Sequence, residues 1–387
     1  MSFISSLKLH NFRCYSQAAL GDLSPGLMVL HGPNGAGKTN VLEAVSLLSP
    51  GRGLRGAGLT EIQNNQGSTA WAVSAAVETG VGAVQIGTGL DPQSEKRTIR
   101  IQGETVKSQS ALADYLACVW LTPQMDRLFL DSARERRKFL DRLVFAFDPG
   151  HSGRVTRYDN AMGQRSRLLK EGLNEPAWLE GLEAQMAETG VAIAAARLDF
   201  AQRLQSACNI YMSAHFPLSH LSATGTLEEL LHNIPALEVE ELFKYQLKQS
   251  RARDAETGGA ATGPHKSDMA VIYAAKNMAA DQCSTGEQKA LLIGIILAHA
   301  RMIAAERGGA PVLLLDEVAA HLDESRRGAL YDLLQDLGGQ VWLTGTDESL
   351  FDNLHGHAQF FHVKEARIIP DLLSAEAPQT GTGGGRV

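Results

Sequence analysis

The chain has 387 residues, which is long enough for two domains or for one large domain. A hydrophobic fraction of 44% and a charged fraction of 20% describe an ordinary soluble globular protein. The formal net charge is −7, so bulk charge gives no support to nucleic-acid binding. Any DNA site must therefore be a local basic patch.

Several other classes of site and location are disfavoured. The four cysteines are far apart and form no C-x-x-C pair, so the sequence predicts free thiols rather than a zinc site or a disulfide framework. His355 and His357 are too isolated to indicate a metal ligand. The N-terminus lacks a signal-peptide layout, and the longest apolar run, 290–298, is too short to span a bilayer. These features predict a cytoplasmic protein without a membrane segment.

In chain order, the first predicted elements are a strand over 4–9 and a strand over 27–31. The second strand leads into the pattern G-x-x-x-x-G-K-T and then into a helix over 38–48. Glycines let backbone N–H groups turn towards phosphate oxygens, and the following helix adds its positive end. The alternative, a glycine-rich turn with a surface lysine, is disfavoured by this strand-and-helix context. The predicted phosphate loop consists of Gly32, Pro33, Asn34, Gly35, Ala36, Gly37, Lys38 and Thr39.

Three alternating runs follow, over 71–77, 82–87 and 97–101, and they predict an antiparallel β-meander. A buried strand over 118–122 ends before Pro123. The next helix is strongly basic, and its cations are candidates for DNA phosphate contacts without base specificity. The alternative is an ordinary solvated helix surface with salt bridges. The candidate residues are Arg134, Arg136, Arg137 and Lys138.

The middle of the chain is predicted to be helical, with helices over 154–170, 176–212, 227–234 and 239–249 and a polar linker over 251–263. The second of these helices has apolar residues spaced four, three, four, three and four apart. This spacing fits either a short coiled-coil arm or a long helix on a globular core. The residues of the seam are Leu182, Met186, Thr189, Ile193, Ala196 and Phe200.

The last third alternates strands and helices again, with strands over 269–273, 311–315 and 341–344. Alternation at both chain ends predicts one α/β domain with a parallel sheet and a helical insertion. We therefore divide the chain into an N-terminal ATPase part (1–123), an inserted helical lobe (124–260), a C-terminal ATPase part (261–374) and a disordered tail (375–387).

An apolar strand over 313–315 is followed directly by two carboxylates, Asp316 and Glu317. Ligands bind at the carboxyl ends of strands in open α/β sheets. Asp316 would hold Mg²⁺ opposite the Thr39 hydroxyl, and Glu317 would polarise the attacking water as a general base. Alone, this pattern is equally consistent with a capped strand end. A phosphate loop upstream makes a magnesium and water pair the stronger interpretation.

The predicted helix over 284–306 starts with Ser284, Thr285 and Gly286. Ser284 with Glu287 three residues later forms a capping box, which is a sufficient structural explanation. The same helix N-terminus is also an anion site. Because the phosphate loop already holds its own nucleotide, this second site would face the γ-phosphate bound by another copy of the chain.

Three stretches together resemble the ABC-type ATPase heads of chromosome-maintenance and double-strand-break-repair proteins: GPNGAGKTN, STGEQKALL and LLLDEVAAHLD. The short middle insertion excludes the long coiled-coil members. Four further stretches resemble the bacterial RecF family: LHNFRCY, ERRKFLD, TGPHKSD and LTGTD. The resemblance implies an ABC-type head with a mixed or parallel sheet, a β-meander, and an inserted helical lobe with a short coiled-coil arm.

The resemblance also implies roles for individual residues. Gln124 would sense Mg²⁺ and the attacking water, although RecF proteins often have an acidic residue there. Ser284, Gly286 and Gln288 would close on the nucleotide of a partner. Asp323 would be a dimer-contact aspartate. ABC ATPases usually place a histidine at the switch strand, but here the run Thr344-Gly345-Thr346 occupies it, which implies slow hydrolysis.

The function implied is ATP- and Mg²⁺-dependent clamping of DNA by a head-to-head homodimer near junctions of single and double strands. The expected processes are recombinational gap repair with RecR and RecO, replication-fork maintenance and SOS induction, with weak DNA-stimulated ATP hydrolysis as the switch. The alternatives are the ATPase subunit of an ABC transporter, which would need a coupling partner and a switch histidine, and a metabolic kinase, which would need a nearer acidic motif.

Overall fold

The computed structural model describes residues 2–64, 70–172, 175–210 and 215–371. The tail over 375–387, predicted to be disordered, lies outside these residues. The chain forms two compact units. The first contains the residues up to Pro123 together with those from Ala304 onward, and the second contains Gln124–Ile303.

The N-terminal part of the first unit is mostly antiparallel sheet. Its elements, with the phosphate-loop strand β3, helix α1 and strand β8, are β1 Phe3–Phe12, β2 Tyr15–Leu20, β3 Gly26–His31, α1 Lys38–Ser46, β4 Ala72–Thr79, β5 Gly82–Asp91, β6 Lys96–Ile101, β7 Glu104–Val106 and β8 Cys118–Leu121. β1, β2 and β4–β7 form one six-stranded sheet in the order β2-β1-β4-β5-β6-β7, which confirms the predicted three-stranded meander and adds three strands to it.

The second unit is mainly helical with one small sheet. Its elements are α2 Ala133–Phe145, α3 His151–Lys170, α4 Pro176–Ile210, β9 Ser219–Thr224, α5 Thr226–Leu231, α6 Ala236–Gln249, α7 Arg251–Thr257, β10 Asp268–Tyr273, β11 Met278–Ala279 and most of α8, Thr285–Arg307.

The chain returns to the first unit with β12 Val312–Leu315, α9 Glu324–Leu337, β13 Gln340–Gly345, β14 Ala358–Lys364 and β15 Arg367–Pro370. These strands build the second six-stranded sheet, in the order β15-β14-β3-β13-β12-β8. All neighbours in it are parallel except the β14–β15 hairpin. The carboxyl ends of β3, β12 and β13 therefore meet at one edge, where ligands bind in such sheets.

The boundary predicted near residue 260 is wrong, because the second unit continues to Ile303. Strand β10 does not enter the parallel sheet. It pairs antiparallel with β9 along its whole length, from Asp268↔Thr224 to Tyr273↔Ser219. Strand β9 was not predicted from the sequence, so its partner β10 was assigned to the wrong sheet.

The predicted linker over 251–263 begins instead with helix α7. Asp254 on this helix is 1% exposed, and its carboxylate accepts a hydrogen bond from Arg165 Nη1 at 2.8 Å. Arg165 is fully buried, and its Nε donates to Glu183 at 3.0 Å. Since buried charges are tolerated only when paired, this network attaches α7 to α3 and α4. The polar composition was therefore misread as a linker.

Helix α4 is part of a globular core rather than one arm of a coiled coil. Leu182 and Met186 of the predicted seam are buried, but so are Glu183, Ala187 and Val191, which lie outside it. Residues of α3, α4, α5 and α6 form one buried hydrophobic cluster. Burial beyond a single seam excludes a two-helix arm along this part of α4.

Helix α8 is long and apolar enough to cross a bilayer by length and composition. However, 72% of its most apolar 18-residue window is buried inside the protein. Burial as a core helix therefore explains its apolar composition.

Candidate functional site

The phosphate loop joins β3 to α1, and its backbone conformation explains its glycines. Gly32, Gly35 and Gly37 have φ of 142°, 77° and 116°, which L side chains rarely adopt. A Cβ on Gly32 would lie 2.2 Å from the carbonyl oxygen of Val363. A Cβ on Gly37 would lie 2.5 Å from the hydroxyl of Tyr15. The loop thus needs glycine for both conformation and space.

Lys38 begins α1, and its side chain folds back over the loop. Its Nζ donates to the carbonyl oxygens of Gly32, at 2.7 Å, and of Pro33, at 2.9 Å. The residue is 4% exposed, and burial lowers the pKa of its ammonium, while the carboxylates of Glu317 and Asp316 act in the opposite direction. A cation held over a loop of this conformation is positioned to neutralise an anion.

Asp316, at the end of β12, lies beside Thr39, although 277 positions separate them in sequence. The Thr39 hydroxyl is 3.0 Å from both carboxylate oxygens. Burial raises the pKa of Asp316, partly offset by hydrogen bonds from Thr344 and Thr39. A hydroxyl and a carboxylate held together are the oxygen ligands that Mg²⁺ prefers, so the residues present fit this ion.

Thr344, at the end of β13, connects the two carboxylate residues. Its hydroxyl donates to Asp316 Oδ1 at 2.7 Å and accepts from the backbone N–H of Glu317 at 2.9 Å. Glu317 has a φ of 54°, a left-handed conformation that is uncommon for a residue other than glycine. Thr344, the first residue of the run over 344–346 on the predicted switch strand, therefore fixes the backbone of the predicted general base.

Replacing Thr344 with Val is expected to destabilise the protein by about 1–3 kcal/mol, because the buried Asp316 carboxylate and the Glu317 N–H each lose a partner. ATP turnover should fall with it, since Glu317 loses support for its strained backbone. Urea unfolding and steady-state ATP hydrolysis measure the two effects. Thr344→Ser, which keeps the hydroxyl, is the matched control. Equal stability of the Val and Ser variants would contradict this role.

At the start of α8, the capping box predicted from the sequence is present. The Ser284 hydroxyl donates to Glu287 Oε2 at 2.9 Å, and the Ser284 N–H donates to the same oxygen at 3.0 Å. Lys276 forms an ion pair with Glu287, and this contact, followed by those from Ser284, lowers the pKa of Glu287 to about 2. The N–H and hydroxyl of Ser284 thus already bind one anion, a carboxylate. Gly286 lies exposed in the first turn.

Two other predicted site residues, Gln288 and Asp323, have local structural roles, and a third, Gln124, is exposed. Gln288 is 2% exposed, and its amide donates to the Cys283 carbonyl at 3.0 Å, which argues against a direct nucleotide contact. Asp323 caps α9 by accepting from the Arg326 N–H at 2.8 Å, and its side chain is exposed. Gln124 is exposed in a 3-10 helix that follows β8 in sequence.

Two of the four basic residues predicted to contact DNA are engaged within the second unit. Arg136 forms a bidentate pair with Asp268, at 2.8 and 2.6 Å, and Arg137 donates to the Ser267 carbonyl at 2.6 Å. These bonds attach α2 to the start of β10. Arg134 and Lys138 are exposed, and Lys138 pairs with Glu135 at 2.7 Å. The sequence alone does not distinguish the paired arginines, 136 and 137, from the exposed Arg134.

The sequence reasoning missed an arginine pair beside the phosphate loop. Glu43 on α1 is 1% exposed and accepts two bonds from Arg13, at 2.9 and 2.6 Å, and one from Arg55 at 2.9 Å. Arg13 has a φ of 53° and is part of the LHNFRCY stretch. The available signal in the sequence was Glu43 itself, a charged residue within an otherwise apolar helical run. A carboxylate buried at such a position needs a cationic partner.

His265, whose role the sequence left open, lies within the second unit. Its Nδ1 is 2.7 Å from the Tyr158 hydroxyl and its Nε2 is 3.0 Å from the Ala260 carbonyl. Burial lowers the pKa of the imidazole. Lys266 is exposed. His265 therefore has a packing role in the described residues.

Comparison with known proteins agrees with this architecture. The model for the RecF/RecN/SMC N-terminal domain matches residues 3–368. The DNA replication and repair protein RecF of Mesorhizobium japonicum is 47% identical over 95% of this chain and 97% of its own length. The chain belongs to the RecF family. A RecF protein of Agrobacterium fabrum is 48% identical over 94% of this chain and 98% of its own length.

Solved structures show the same fold. The recombination mediator protein RecF-ATPrS of the RecFOR pathway superposes with a TM-score of 0.85 at 22% identity, covering 95% of this chain and 98% of that one. The Smc head domain of Pyrococcus furiosus superposes with a TM-score of 0.53 at 15% identity, covering 96% of each chain. The predicted ABC-type head with a helical lobe is confirmed.

Proposed function

We propose that this RecF-family chain is an ATP-dependent DNA-binding protein of recombinational gap repair, replication-fork maintenance and SOS induction. The observation that carries the proposal is the grouping of Lys38, Thr39, Asp316 and Glu317 at one edge of the parallel sheet. Full-length relatives named for DNA replication and repair support the biological role. The transporter alternative is not favoured, since those relatives match the whole chain.

In this proposal the phosphate loop binds ATP, and Thr39 and Asp316 hold Mg²⁺, which supplies charge neutralisation on the phosphates. Lys38 leaves the loop carbonyls and pairs with the phosphates. Glu317 orients and deprotonates the attacking water, with its backbone held by Thr344. Gln124 would assist at the same water. Hydrolysis is slow and acts as a release switch.

The second part of the proposal is a head-to-head homodimer. Ser284 and Gly286 of one copy would bind the γ-phosphate held by the phosphate loop of the other, and Asp323 would contact the partner copy. The capping box supports this assignment because Ser284 already donates two bonds to a carboxylate oxygen of Glu287. A phosphate oxygen has the same need for donors. The dimer would clamp gapped, single-stranded or duplex DNA, and RecR and RecO would act with it in loading recombinase.

Analytical sedimentation with and without ATP, and with and without gapped DNA, tests the whole proposal. A clamp becomes a dimer only with ATP and then retains DNA. A transporter subunit or a metabolic kinase would retain no DNA under any of these conditions, and that result would refute the proposal.

The exposed cations of α2 are the better candidates for DNA phosphate contacts. Replacing Arg134 and Lys138 together with Ala is expected to reduce the slope of log K against log salt by about 2, since each phosphate contact contributes roughly 0.9. Lys248→Ala, on an exposed lysine of the same unit paired with Glu180, is the matched control. Arg136→Ala should instead destabilise the second unit, because Asp268 loses its partner. An unchanged slope in the Arg134 and Lys138 double variant would show that the DNA site lies elsewhere.

A further inference from the structure

The stretch over 262–268, TGPHKSD in the sequence, lies in the second unit just before and at the start of β10. Six of its seven residues are buried or half-buried, and the seventh, Lys266, is exposed. The Lys266 ammonium forms no ion pair with any residue in the part of the chain that the structure describes. A cation that the fold presents without pairing it is available to an anion from outside the chain.

A hydrogen-bonded turn holds the backbone of Lys266. Its N–H donates to the Gly263 carbonyl at 2.9 Å, and Gly263 has a φ of 138°. The Pro264 carbonyl accepts from Arg197 Nη1 at 2.6 Å. Both ring nitrogens of His265, the residue before Lys266, are engaged in the hydrogen bonds described above. Because the backbone is fixed, a ligand would have to order only the Lys266 side chain.

The same turn lies against the basic helix α2. Arg137 Nη1 donates to the Ser267 carbonyl at 2.6 Å, so α2 contacts the residue that directly follows Lys266. Arg134 lies three positions before Arg137, and residues at this spacing are neighbours on one face of a helix. Arg134 and Lys266 are both exposed. Two exposed cations from separate segments of the chain are therefore both neighbours of Arg137.

The pKa values of two nearby groups reflect the combined charge of these cations. Burial lowers the pKa of the His265 imidazole, and the charges of Lys266 and Arg137 act in the same direction. Burial and the charge of Arg197 lower the pKa of Arg137, and Arg134 adds to this effect. The cations of the two segments thus lie in one region of positive potential.

We propose that Lys266 contacts a DNA phosphate on the same surface as the exposed cations of α2, Arg134 and Lys138. This assignment rests on the proposed DNA-binding function and adds to it a cation from a separate segment, which the stretch over 262–268 holds in place. Exposed cations on two adjoining segments fit a polyanion whose phosphates recur about every 3.4 Å along each strand. A lysine ammonium binds phosphate as a point charge, so the contact carries no base specificity.

The test measures how the affinity of the full-length chain for a labelled DNA duplex changes with salt concentration at saturating ATP. Lys266→Ala should reduce the slope of log K against log salt by roughly 0.9, the contribution of one phosphate contact, and Lys266→Arg should keep the slope. Adding Lys266→Ala to the Arg134 and Lys138 double variant should reduce the slope further by a similar amount. Lys244→Ala, on an exposed lysine of α6 in the same unit, is the matched control and should leave the slope unchanged.

The urea midpoint of Lys266→Ala should equal that of the unaltered chain, because the side chain is exposed. Normal DNA binding by the unaltered chain with an unchanged slope in Lys266→Ala would overturn the phosphate contact and leave the proposed function intact. A lower urea midpoint, or weaker binding at an unchanged slope, would give Lys266 a structural role instead. An equal loss of slope in Lys244→Ala would show an effect of net charge rather than a contact. Absence of ATP-dependent DNA binding by the unaltered chain would overturn the proposed function together with this contact.

Discussion

Lys38→Met is expected to abolish ATP-dependent retention of DNA. The Lys38 ammonium, 2.7 and 2.9 Å from two loop carbonyls, is the cation that would transfer to the phosphates. A charge-assisted hydrogen bond is worth about 1.5–3 kcal/mol, so nucleotide affinity should fall roughly 10- to 100-fold. Because Met keeps the length and apolar stem of Lys, the fold should be retained.

Nucleotide affinity and DNA retention should be measured separately for this variant. Lys364→Met, on an exposed lysine of β14 in the same unit, is the matched control and should behave as the unchanged protein. Binding of DNA that does not depend on ATP should persist in both variants. Undiminished ATP-dependent retention by Lys38→Met at saturating ATP would rule out the clamp mechanism.

Ser284→Arg is expected to leave ATP binding by the single chain intact while preventing the ATP-dependent dimer. The long cation would fill the small space at the start of α8 that a γ-phosphate of the other copy must approach. Sedimentation with ATP should therefore show only monomer, and DNA retention should be lost with the dimer. This is the largest effect expected from a residue that does not touch its own nucleotide.

Capping and phosphate binding can be separated at the same position. Asp is a good N-cap residue, so Ser284→Asp should preserve the start of α8, whereas loss of the cap altogether costs about 1 kcal/mol. The Asp carboxylate would repel a phosphate. If Ser284 contacts the nucleotide, Ser284→Asp fails to dimerise as completely as Ser284→Arg; if Ser284 only caps the helix, Ser284→Asp dimerises normally.

The conformation of the candidate site was predictable where the requirement is local. The glycines at 32, 35 and 37 meet positive φ values, and Asp316 follows an apolar strand. Both are properties of consecutive residues. The pairing of Thr39 with Asp316 followed only because each motif has a known partner. The contact of Thr344 with both Asp316 and the Glu317 N–H had no local signal, since it depends on β12 and β13 being neighbours.

In the basic helix α2 and in helix α4, by contrast, the local sequence pattern did not determine the role of each residue. Arg134 and Arg136 are alike in the sequence, but Asp268, 132 positions from Arg136, engages only the second of them. The apolar spacing of α4 was consistent both with a coiled-coil seam and with a packed core helix. Burial of Glu183 and Val191 decided between them, because it places protein on more than one side of the helix.

The sequence by itself determined the nucleotide loop, the acidic pair, the capping box and the family, because each depends on residues close together in the chain. Only the tertiary structure decided which arginines are available, where β10 pairs, and that Lys266 lies beside the basic helix α2. Those outcomes depend on contacts between segments that lie from tens of residues to more than a hundred residues apart, whose free energies no local pattern records. The phosphate loop depends on both local sequence and tertiary contacts. Its glycines permit the local backbone conformation, and Val363 and Tyr15 leave no space for a larger residue at positions 32 and 37.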